Sequence, residues 1–270
     1  MPELPEVETT RRGIAPWLEG TTPASVLVHN AALRWPVPPE LSERLSSGAI
    51  HSVQRRGKYL LLNNQQGTAL VHLGMSGSLR LSCPHEPRRK HDHVELILTG
   101  DKVLRFNDPR RFGAWLWTRD WRHHTLIGAL GPEPLGDSFS GDYLYERARG
   151  RRAPVKAFIM DSRILVGVGN IYASEALFRA GIHPSRPARR VGRQRYRALA
   201  AAIRQVLAQA IEMGGTTLRD FTNSSGSPGY FRQSLNVYGR GGEPCCHCTA
   251  ALRERVITQR STVFCINCQR

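Results

Sequence analysis

Lysine is scarce in this chain although basic residues are abundant. Of its 38 lysine and arginine residues only four are lysines, Lys58, Lys90, Lys102 and Lys156, and the other 34 are arginines. Because a guanidinium group is not usefully deprotonated in a protein, chemistry that needs a nucleophilic amine falls to these lysines or to the amino terminus.

Acidic residues are also few. Only 22 aspartates and glutamates oppose the basic residues, so the formal net charge is +16 and the pI is near 10.5. So large an excess of positive charge favours a polyanionic partner, above all nucleic acid. Charge alone is also compatible with a generically basic housekeeping or ribosomal protein.

A long apolar run and a secretory leader are both missing. No segment approaches the roughly 18 to 20 apolar residues that a membrane span requires, and Met1-Pro2-Glu3 has neither a basic region nor an apolar core behind it. We therefore expect a cytoplasmic protein with no membrane partner. At 270 residues and 40% hydrophobic content, the chain is long enough for two domains with cores of their own.

The first 130 residues combine one helix with many short apolar segments. The helix begins near Pro5 and runs toward Gly20, with Pro16 leaving its second half open. Turn residues separate the segments that follow, which predicts an N-terminal β-sandwich or barrel-like domain over 1–130. The predicted strands are 49–55, 58–63, 68–73, 78–82, 93–99, 103–106 and 113–118.

A proline- and glycine-rich tract then separates two kinds of pattern. Residues 131–137 interrupt any regular element and predict a linker. Beyond them the period becomes helical, so we expect an α+β chain with a helical domain over 138–240 and a cysteine module over 241–270. The predicted helices are 142–149, 154–161, 170–180 and 193–213.

The C-terminal module carries two Cys-x-x-Cys knuckles. Cys245 and Cys248 form one, Cys265 and Cys268 the other, and sixteen residues separate them. This spacing predicts a four-thiolate site for one structural Zn²⁺ with no open position for water. Residues 252–257 and 262–264 can pair as a hairpin that presents Arg260 near its tip, an arrangement suited to gripping phosphate.

Two alternatives remain open for the cysteines. A pair of disulfides would use the same four thiols, although a reducing compartment disfavours it. Cys246 and His247 lie inside the first knuckle and leave its register ambiguous. Cys83 stands alone and is interpreted as an inert thiol.

The amino terminus offers an unusual nucleophile. If Met1 is removed, Pro2 exposes a secondary amine that can attack an aldehyde carbon and form an iminium. Glu3 and Glu6 lie beside it and are candidates for acid or base work, although both also suit the first turn of an ordinary helix.

Seven motifs give these features a context. They are Pro2-Glu3-Leu4-Pro5-Glu6-Val7-Glu8, Gly57-Lys58-Tyr59-Leu60, His72-Leu73-Gly74-Met75-Ser76-Gly77, Asn107-Asp108-Pro109-Arg110-Arg111-Phe112-Gly113, Val166-Gly167-Val168-Gly169-Asn170-Ile171-Tyr172-Ala173, Pro228-Gly229-Tyr230-Phe231 and Gln259-Arg260-Ser261-Thr262. In this order, and with the cysteine spacing, the whole chain resembles the formamidopyrimidine-DNA glycosylase family. Thr249, where that family often has glycine, and the Cys246-His247 pair are departures that bear on the geometry of the zinc site.

The resemblance implies a bifunctional DNA glycosylase and lyase of base excision repair. Pro2 would be the nucleophile toward the sugar carbon, Glu3 the general acid that opens the deoxyribose, Glu6 a supporting carboxylate and Lys58 a basic group near the lesion. The implied activity removes oxidised purines, 8-oxoguanine and formamidopyrimidines, and nicks the strand by β- and δ-elimination. The implied partner is duplex DNA with oxidised bases or abasic sites, bound by a monomer.

The resemblance also implies which residues contact DNA. Met75, Arg110 and Phe112 would fill the gap that a flipped-out nucleotide leaves. A helix-two-turn-helix element and a capping loop over 222–231 would hold the phosphates and the damaged base. The complete set is Met75, His91, Arg110, Arg111, Phe112, Lys156, Asn170, Tyr230 and Arg260.

Two other functions are weighed against this one. The sister endonuclease VIII group prefers oxidised pyrimidines, but it typically begins Pro-Glu-Gly-Pro-Glu and lacks the capping loop, so Leu4 and residues 224–231 argue against it. A non-catalytic, zinc-dependent DNA-binding protein would keep the scaffold, but it has no need for Pro2, Glu3, Glu6 and Lys58 together.

Overall fold

A computed structural model of the chain describes residues 1–216 and 231–270. These residues form two compact units. The first unit comprises Met1–Ala129 with residues 213–216, and the second comprises Leu130–Glu212 with Phe231–Arg270. The functional domain limits drawn from the sequence, with their linker at 131–137, stay a prediction.

The first unit is a sandwich of two four-stranded antiparallel sheets behind one long helix. One sheet has the order β1-β6-β7-β5 and the other β2-β3-β4-β8. The elements are α1 (Leu4–Leu18), β1 (Ser25–Val28), α2 (Leu41–Ser46), β2 (Ser52–Arg56), β3 (Tyr59–Asn64), β4 (Gly67–His72), β5 (Ser78–Ser82), β6 (Asp92–Leu98), β7 (Lys102–Asn107), β8 (Ala114–Thr118) and α3 (Thr125–Gly128).

One hydrophobic cluster joins the inner faces of both sheets to α1. Val53 and Val71 contribute from one sheet, Leu96 and Phe106 from the other, and Ile14 from the helix. All seven predicted strands are present, and α1 continues through Pro16 because its apolar stripe is buried to the end at Leu18.

The prediction missed one strand and two short helices in this unit. β1 was not predicted because its sequence shows no alternation of apolar and polar residues. In the structure only Val26 of its four residues is buried, and Leu27 is 43% exposed. α2 and α3 span six and four residues, which is too short for a helical period to show in the sequence.

The second unit is helical and ends in a β-hairpin. Its helices are α4 (Gly141–Ala148), α5 (Val155–Met160), α6 (Asn170–Arg179) and α7 (Arg193–Glu212), with short 3₁₀ helices at Ala188–Arg190 and Phe231–Ser234. β9 (Arg253–Ile257) and β10 (Arg260–Phe264) form the hairpin. The turn is Thr258-Gln259 and Arg260 is the first residue of β10, so Arg260 lies next to the tip of the hairpin, as predicted. The predicted mixed α+β fold, with its terminal hairpin, is confirmed.

Within residues 1–216 and 231–270, none of the helices has the length and apolar content needed to cross a membrane.

Candidate functional site

The first turn of α1 fixes the two carboxylates beside Pro2. Glu3 is the N-cap and forms a reciprocal capping box with Glu6: the Glu3 side chain accepts the Glu6 backbone N–H, and Glu6 Oε2 accepts the Glu3 backbone N–H at 2.8 Å. Pro2 is buried, and Glu3 and Glu6 are 2% and 0% exposed, whereas Met1 is 37% exposed. The peptide that follows Pro2 therefore has one defined position.

Glu6 reaches a second segment far along the chain. Its Oε1 accepts the backbone N–H of Thr216 at 2.8 Å. The preceding Gly215 has a φ of +82°, and a Cβ there would lie 3.1 Å from Glu6 Oε1. This close approach explains why glycine occupies the position. Glu6 thus joins the start of α1 to the residues that lead into 217–230.

Lys58 lies in the turn between β2 and β3, and α1 packs on both of these strands. Gly57 has a φ of +57°, a conformation that favours glycine. Arg55 donates from Nε to Glu8 of α1 at 3.1 Å and from Nη1 to the Gly57 carbonyl at 3.1 Å. One guanidinium therefore connects the helix that carries Pro2 to the turn that carries Lys58.

Glu8 is the anion at the centre of this connection. Its side chain is 12% exposed and also accepts hydrogen bonds from Arg11 and Arg12. Burial alone would raise the pKa of Glu8, but the hydrogen bonds from Arg11 and Arg12 and the charge of Arg55 hold it below the usual value.

His72, at the end of β4, is held in its neutral form. Burial, followed by the positive charges of Lys58 and Arg34, lowers the pKa of His72 to about 4. Its Nδ1 accepts the backbone N–H of Gly74 at 2.9 Å. Only a neutral imidazole can accept this bond, so His72 fixes the turn that leads to Met75.

Met75, Arg110 and Phe112, which are predicted to fill the gap in the duplex, are called the wedge residues below. The two loops that carry them lie side by side. A Cβ on Gly74 would approach the backbone of Phe112 and Gly113 to 2.4 Å, so the loops meet backbone to backbone. Arg110 places its guanidinium 4.9 Å from the centre of the Phe112 ring, which is 42% exposed. Met75 is half-buried.

Asp108, which is 0% exposed, holds these loops together. Its Oδ1 accepts the Ser76 hydroxyl at 2.7 Å, and its Oδ2 accepts the Gly113 N–H at 2.7 Å. Ser76 Oγ in turn accepts the backbone N–H of Arg110 at 3.2 Å. Asp108 therefore sets the relative position of all three wedge residues.

His91 and Arg111 border the same loops. The Asp108 N–H donates to the His91 carbonyl, and the Arg111 N–H donates to the Asp108 carbonyl. Both residues have positive φ, +74° for His91 and +55° for Arg111, in a region that non-glycine residues seldom occupy. Arg111 is exposed and His91 is half-exposed.

The second unit brings three further predicted residues together. Asn170 Nδ2, at the start of α6, donates to the Ser261 carbonyl at 3.1 Å. Lys156 Nζ donates to Thr262 Oγ1 at 2.7 Å and is 1% exposed. Both residues therefore hold the strand that begins with the exposed Arg260.

Glu175, on α6, is a positioning group that the sequence did not reveal. It is 1% exposed and accepts the backbone N–H groups of Asn236, Val237 and Tyr238, each at 2.9 Å. It thereby fixes the segment that leads into the first cysteine knuckle.

The four predicted zinc ligands form one cluster. The ligand atoms of Cys245, Cys248, Cys265 and Cys268 all lie within 4.8 Å of one another. The Cys245–Cys268 and Cys248–Cys265 sulfur distances are 3.9 and 3.4 Å, too long for disulfides, whose S–S bond is about 2.05 Å. Bonds of about 2.3 Å in a tetrahedral Zn–S site place sulfurs roughly 3.8 Å apart, so the cluster fits such an ion.

Burial and backbone N–H groups shift the pKa values of three of these thiols in different directions. Burial raises the pKa of Cys265 and of Cys268. Burial acts in the same sense on Cys245, but backbone N–H groups of His247 and Cys248 bring its pKa down to about 7. Crowded thiols of this kind become thiolates together when a divalent cation balances their charge.

The register ambiguity in the first knuckle is resolved. Cys246 is exposed, with its Sγ 3.4 Å from Asn236 Oδ1, and the His247 ring stacks on Phe178 at 4.8 Å. Neither belongs to the cysteine cluster. Thr249 has a φ of +62°, which gives a conformational reason for the glycine expected there.

Tyr230 and the predicted capping loop, apart from Phe231, lie outside the described residues. Phe231 is buried and packs against Tyr172 of α6 at 5.7 Å.

Sequence reasoning missed Arg55, Asp108 and Glu175 as positioning residues. Only Glu175 carried a usable sign, because it is a carboxylate among mostly apolar neighbours that become buried. The sequence could not say which groups this carboxylate contacts.

Comparisons with known proteins agree over the whole chain. Residues 1–115 match the formamidopyrimidine-DNA glycosylase N-terminal domain, and residues 130–222 match the H2TH domain of the same enzymes. The chain is 59% identical over 270 residues to a formamidopyrimidine-DNA glycosylase of Marinobacter nauticus and 58% identical over 271 residues to that of Methylococcus capsulatus, covering 100% of each.

Solved structures agree as well. The MutM (Fpg) protein of Thermus thermophilus superposes with a TM-score of 0.89 at 41% identity, covering 99% of this chain and 98% of that one. The Lactococcus lactis Fpg in complex with DNA containing an abasic site superposes with a TM-score of 0.92 at 31% identity, covering 99% of both chains.

Proposed function

The chain belongs to the formamidopyrimidine-DNA glycosylase family, and we propose that it is a bifunctional glycosylase and lyase that removes oxidised purines from duplex DNA. Relatives in this family have been solved on DNA containing an abasic site and on DNA containing N7-benzyl-Fapy-dG. The proposed setting is base excision repair in the cytoplasm of a bacterium, with the protein acting as a single chain.

The observation that carries this proposal is the buried capping box at the start of α1. Glu3 and Glu6 fix the peptide beside Pro2, while Met1 is 37% exposed and open to removal. A helix needs a cap, but it does not need two buried carboxylates next to an N-terminal proline. This arrangement suits a nucleophile whose direction of attack has to be defined.

The chemistry proposed for Pro2 follows from its secondary amine. Once Met1 is removed, the Pro2 nitrogen attacks the sugar carbon C1′, and the damaged base leaves with the electrons of the N-glycosidic bond and takes up the proton that the Pro2 nitrogen loses. The restored lone pair on the Pro2 nitrogen then expels the ring oxygen from C1′. Glu3 supplies a proton to the ring oxygen as the deoxyribose opens, which leaves an iminium between Pro2 and the sugar.

The iminium then makes strand cleavage possible. It withdraws electrons and acidifies the adjacent C2′ proton, so loss of that proton expels the 3′ phosphate. A second elimination expels the 5′ phosphate. Lys58 is proposed to lie near the lesion and its phosphate, and Glu6 to hold the Pro2 peptide in place, as its bond to the Glu3 N–H suggests.

The remaining residues are proposed to bind the flipped-out state of DNA. Met75, Arg110 and Phe112 would fill the gap in the duplex, supported by the neighbouring His91 and Arg111. Asn170 and Arg260 would contact phosphates. Lys156, which is buried, would act by holding the strand that carries Arg260. Tyr230 would belong to the loop that covers the damaged base.

A structural Zn²⁺ is proposed for the cysteine cluster. Cys245, Cys248, Cys265 and Cys268 would complete a tetrahedron, and the ion would give the β9–β10 hairpin a stiff base. No step of the reaction is assigned to the metal.

Borohydride trapping on an abasic-site duplex tests the central step. Protein whose intact mass lacks Met1 is expected to form a covalent adduct, and protein that retains Met1 is not. If fully processed protein never crosslinks, the iminium mechanism is wrong and a non-catalytic DNA-binding protein becomes the better description.

Two further comparisons sharpen this test. Glu3→Gln keeps an oxygen for the Glu6 N–H but loses the acid, so excision of 8-oxoguanine should fall more than trapping on a preformed abasic site. Duplexes with 8-oxoguanine opposite cytosine should be cut faster than duplexes with thymine glycol. The reverse preference would assign the chain to the activity of the endonuclease VIII group.

A further inference from the structure

The second unit carries a positively charged groove that none of the residues assigned above lines. Two open cavities, of about 470 and 370 Å³, share His183 in their linings. We call them together the basic groove, which is defined by His183, Arg186, Arg190, Arg253, Arg255 and Phe264.

The cations of the basic groove lack anionic partners. Among the described residues, no carboxylate forms an ion pair with any of its four arginines. Glu254 also lines the larger cavity, but it already accepts a hydrogen bond from the Ser261 hydroxyl at 2.5 Å. The arginines of the groove also act on His183. Burial lowers the pKa of His183, and the positive charges of Arg255 and Arg186 lower it further.

One donor in the basic groove is buried without a partner. Arg186 Nε contacts no acceptor among the described residues, although the Arg186 backbone is anchored to His183 and Val155. A buried donor without an acceptor is unfavourable, and an anion held by the Arg186 guanidinium would offset this cost.

The walls of the basic groove are rigid. The His183 ring packs edge-on against Phe264 at 4.5 Å. Gln269 donates to the Ile182 carbonyl at 2.9 Å and accepts the Cys265 N–H at 2.9 Å, which ties the groove to the second knuckle. These contacts fix His183 and the end of β10 relative to each other.

We propose that the basic groove binds backbone phosphates of duplex DNA away from the lesion, as a second contact beyond Arg260. This inference rests on the proposed function for the identity of its ligand. Phe264 is four residues beyond Arg260 on β10, a distance of about 13 Å at roughly 3.3 Å per residue. DNA rises about 3.4 Å per nucleotide of one strand, so the groove would meet phosphates roughly four nucleotides away from the one at Arg260.

The test is the salt dependence of binding to an undamaged duplex. Arg253→Ala with Arg255→Ala removes two exposed groups that make no hydrogen bond or ion pair among the described residues. If both contact phosphates, the slope of log K against log salt should fall by about 1.8, which amounts to roughly 60-fold weaker binding at 0.1 M salt. Because no lesion is present, failure of the lyase chemistry would leave this measurement intact.

A matched control separates local contact from lost net charge. Arg147→Ala with Arg149→Ala removes two exposed charges at the end of α4 and should keep the wild-type slope. Arg253→Lys with Arg255→Lys should keep most of it, and zinc content reports that the hairpin of each variant is folded. Equal slopes for wild type and the groove variant would overturn the proposal, and so would equal losses in groove and control variants.

Discussion

At the scale of single residues, His72 links the pH to the stability of the first unit. Burial, Lys58 and Arg34 lower its pKa from 6.5 to about 4, and its neutral ring accepts the Gly74 N–H. Between these two pH values the unfolded chain binds a proton that the folded chain does not. The free energy of unfolding therefore falls as the pH drops through this window and keeps the full contribution of His72 above it.

His72→Asn should remove this contribution, because the Asn amide oxygen can accept the Gly74 N–H without titrating. Urea unfolding at pH 7 and pH 4.5 is expected to show a smaller loss of stability on acidification than in the wild type. His51→Asn, at an exposed histidine, is the control and should behave as the wild type. If His72→Asn loses as much stability as the wild type, His72 is not the group responsible.

Thr249 is a second residue at which a substitution should change stability, because its backbone conformation is unfavourable for a non-glycine residue. Its φ of +62° lies in the left-handed region, which costs a non-glycine residue about 1–2 kcal/mol, although its hydroxyl donates to the Cys248 carbonyl at 2.6 Å. Thr249→Gly should raise stability by about 1 kcal/mol and slow the loss of metal to a chelator. Thr249→Ala removes the hydroxyl without relieving the strain, so it should not do so.

At the scale of elements, Glu8 and Arg55 join α1 to the β2–β3 turn. Arg55→Gln removes a charged hydrogen-bond donor shared by Glu8 and the Gly57 carbonyl, and should cost about 2 kcal/mol of stability. It should also slow borohydride trapping at saturating DNA several-fold, since the Lys58 turn loses its link to the helix that carries Pro2. Single-turnover rates at saturating and subsaturating DNA separate this effect from weaker binding.

Arg12 provides the matched control, because it pairs with the same Glu8 but is 58% exposed. An exposed ion pair contributes roughly 0–1 kcal/mol, so Arg12→Gln should leave the trapping rate close to that of the wild type. Arg55→Lys keeps the charge but not the two directed bonds and should rescue the rate only in part. Equal rates for Arg55→Gln and Arg12→Gln would contradict the positioning role.

At the scale of the whole molecule, the sandwich and the cysteine module have hydrophobic clusters of different size. The first unit has a large apolar cluster, whereas the cysteine module has a small one that includes Phe178, Val237 and Leu252 with the cysteines themselves. A core this small depends on its metal for stability.

Metal removal should therefore affect the cysteine module and the sandwich unequally. Chelation, or Cys248→Ser, is expected to speed amide hydrogen exchange across 245–268 and to weaken DNA binding, while amides of the sandwich strands keep their protection. Cys83→Ser, at a cysteine outside the cluster, should change neither. Global loss of protection on chelation would show that the sandwich depends on the cysteine module.

Much of this fold follows from local patterns in the sequence. The alternation of apolar residues predicted seven of the eight strands of the first unit, and the helical period predicted α4 to α7 to within about two residues at each end, the ordinary uncertainty of helix limits. The spacing of the cysteines predicted which four would cluster. These features depend on residues a few positions apart, and short-range geometry determines whether such residues share a face or a turn.

The contacts that define the candidate site were decided by the tertiary structure. Glu6 meets Thr216, Glu8 meets Arg55, Asp108 meets Ser76, and Glu175 meets Asn236. The sequence does not say which polar group satisfies each of these buried carboxylates, because many could. Burial makes an unpaired charge costly, and only the packing of distant segments decides which donor approaches and which candidate site residue is thereby held in place.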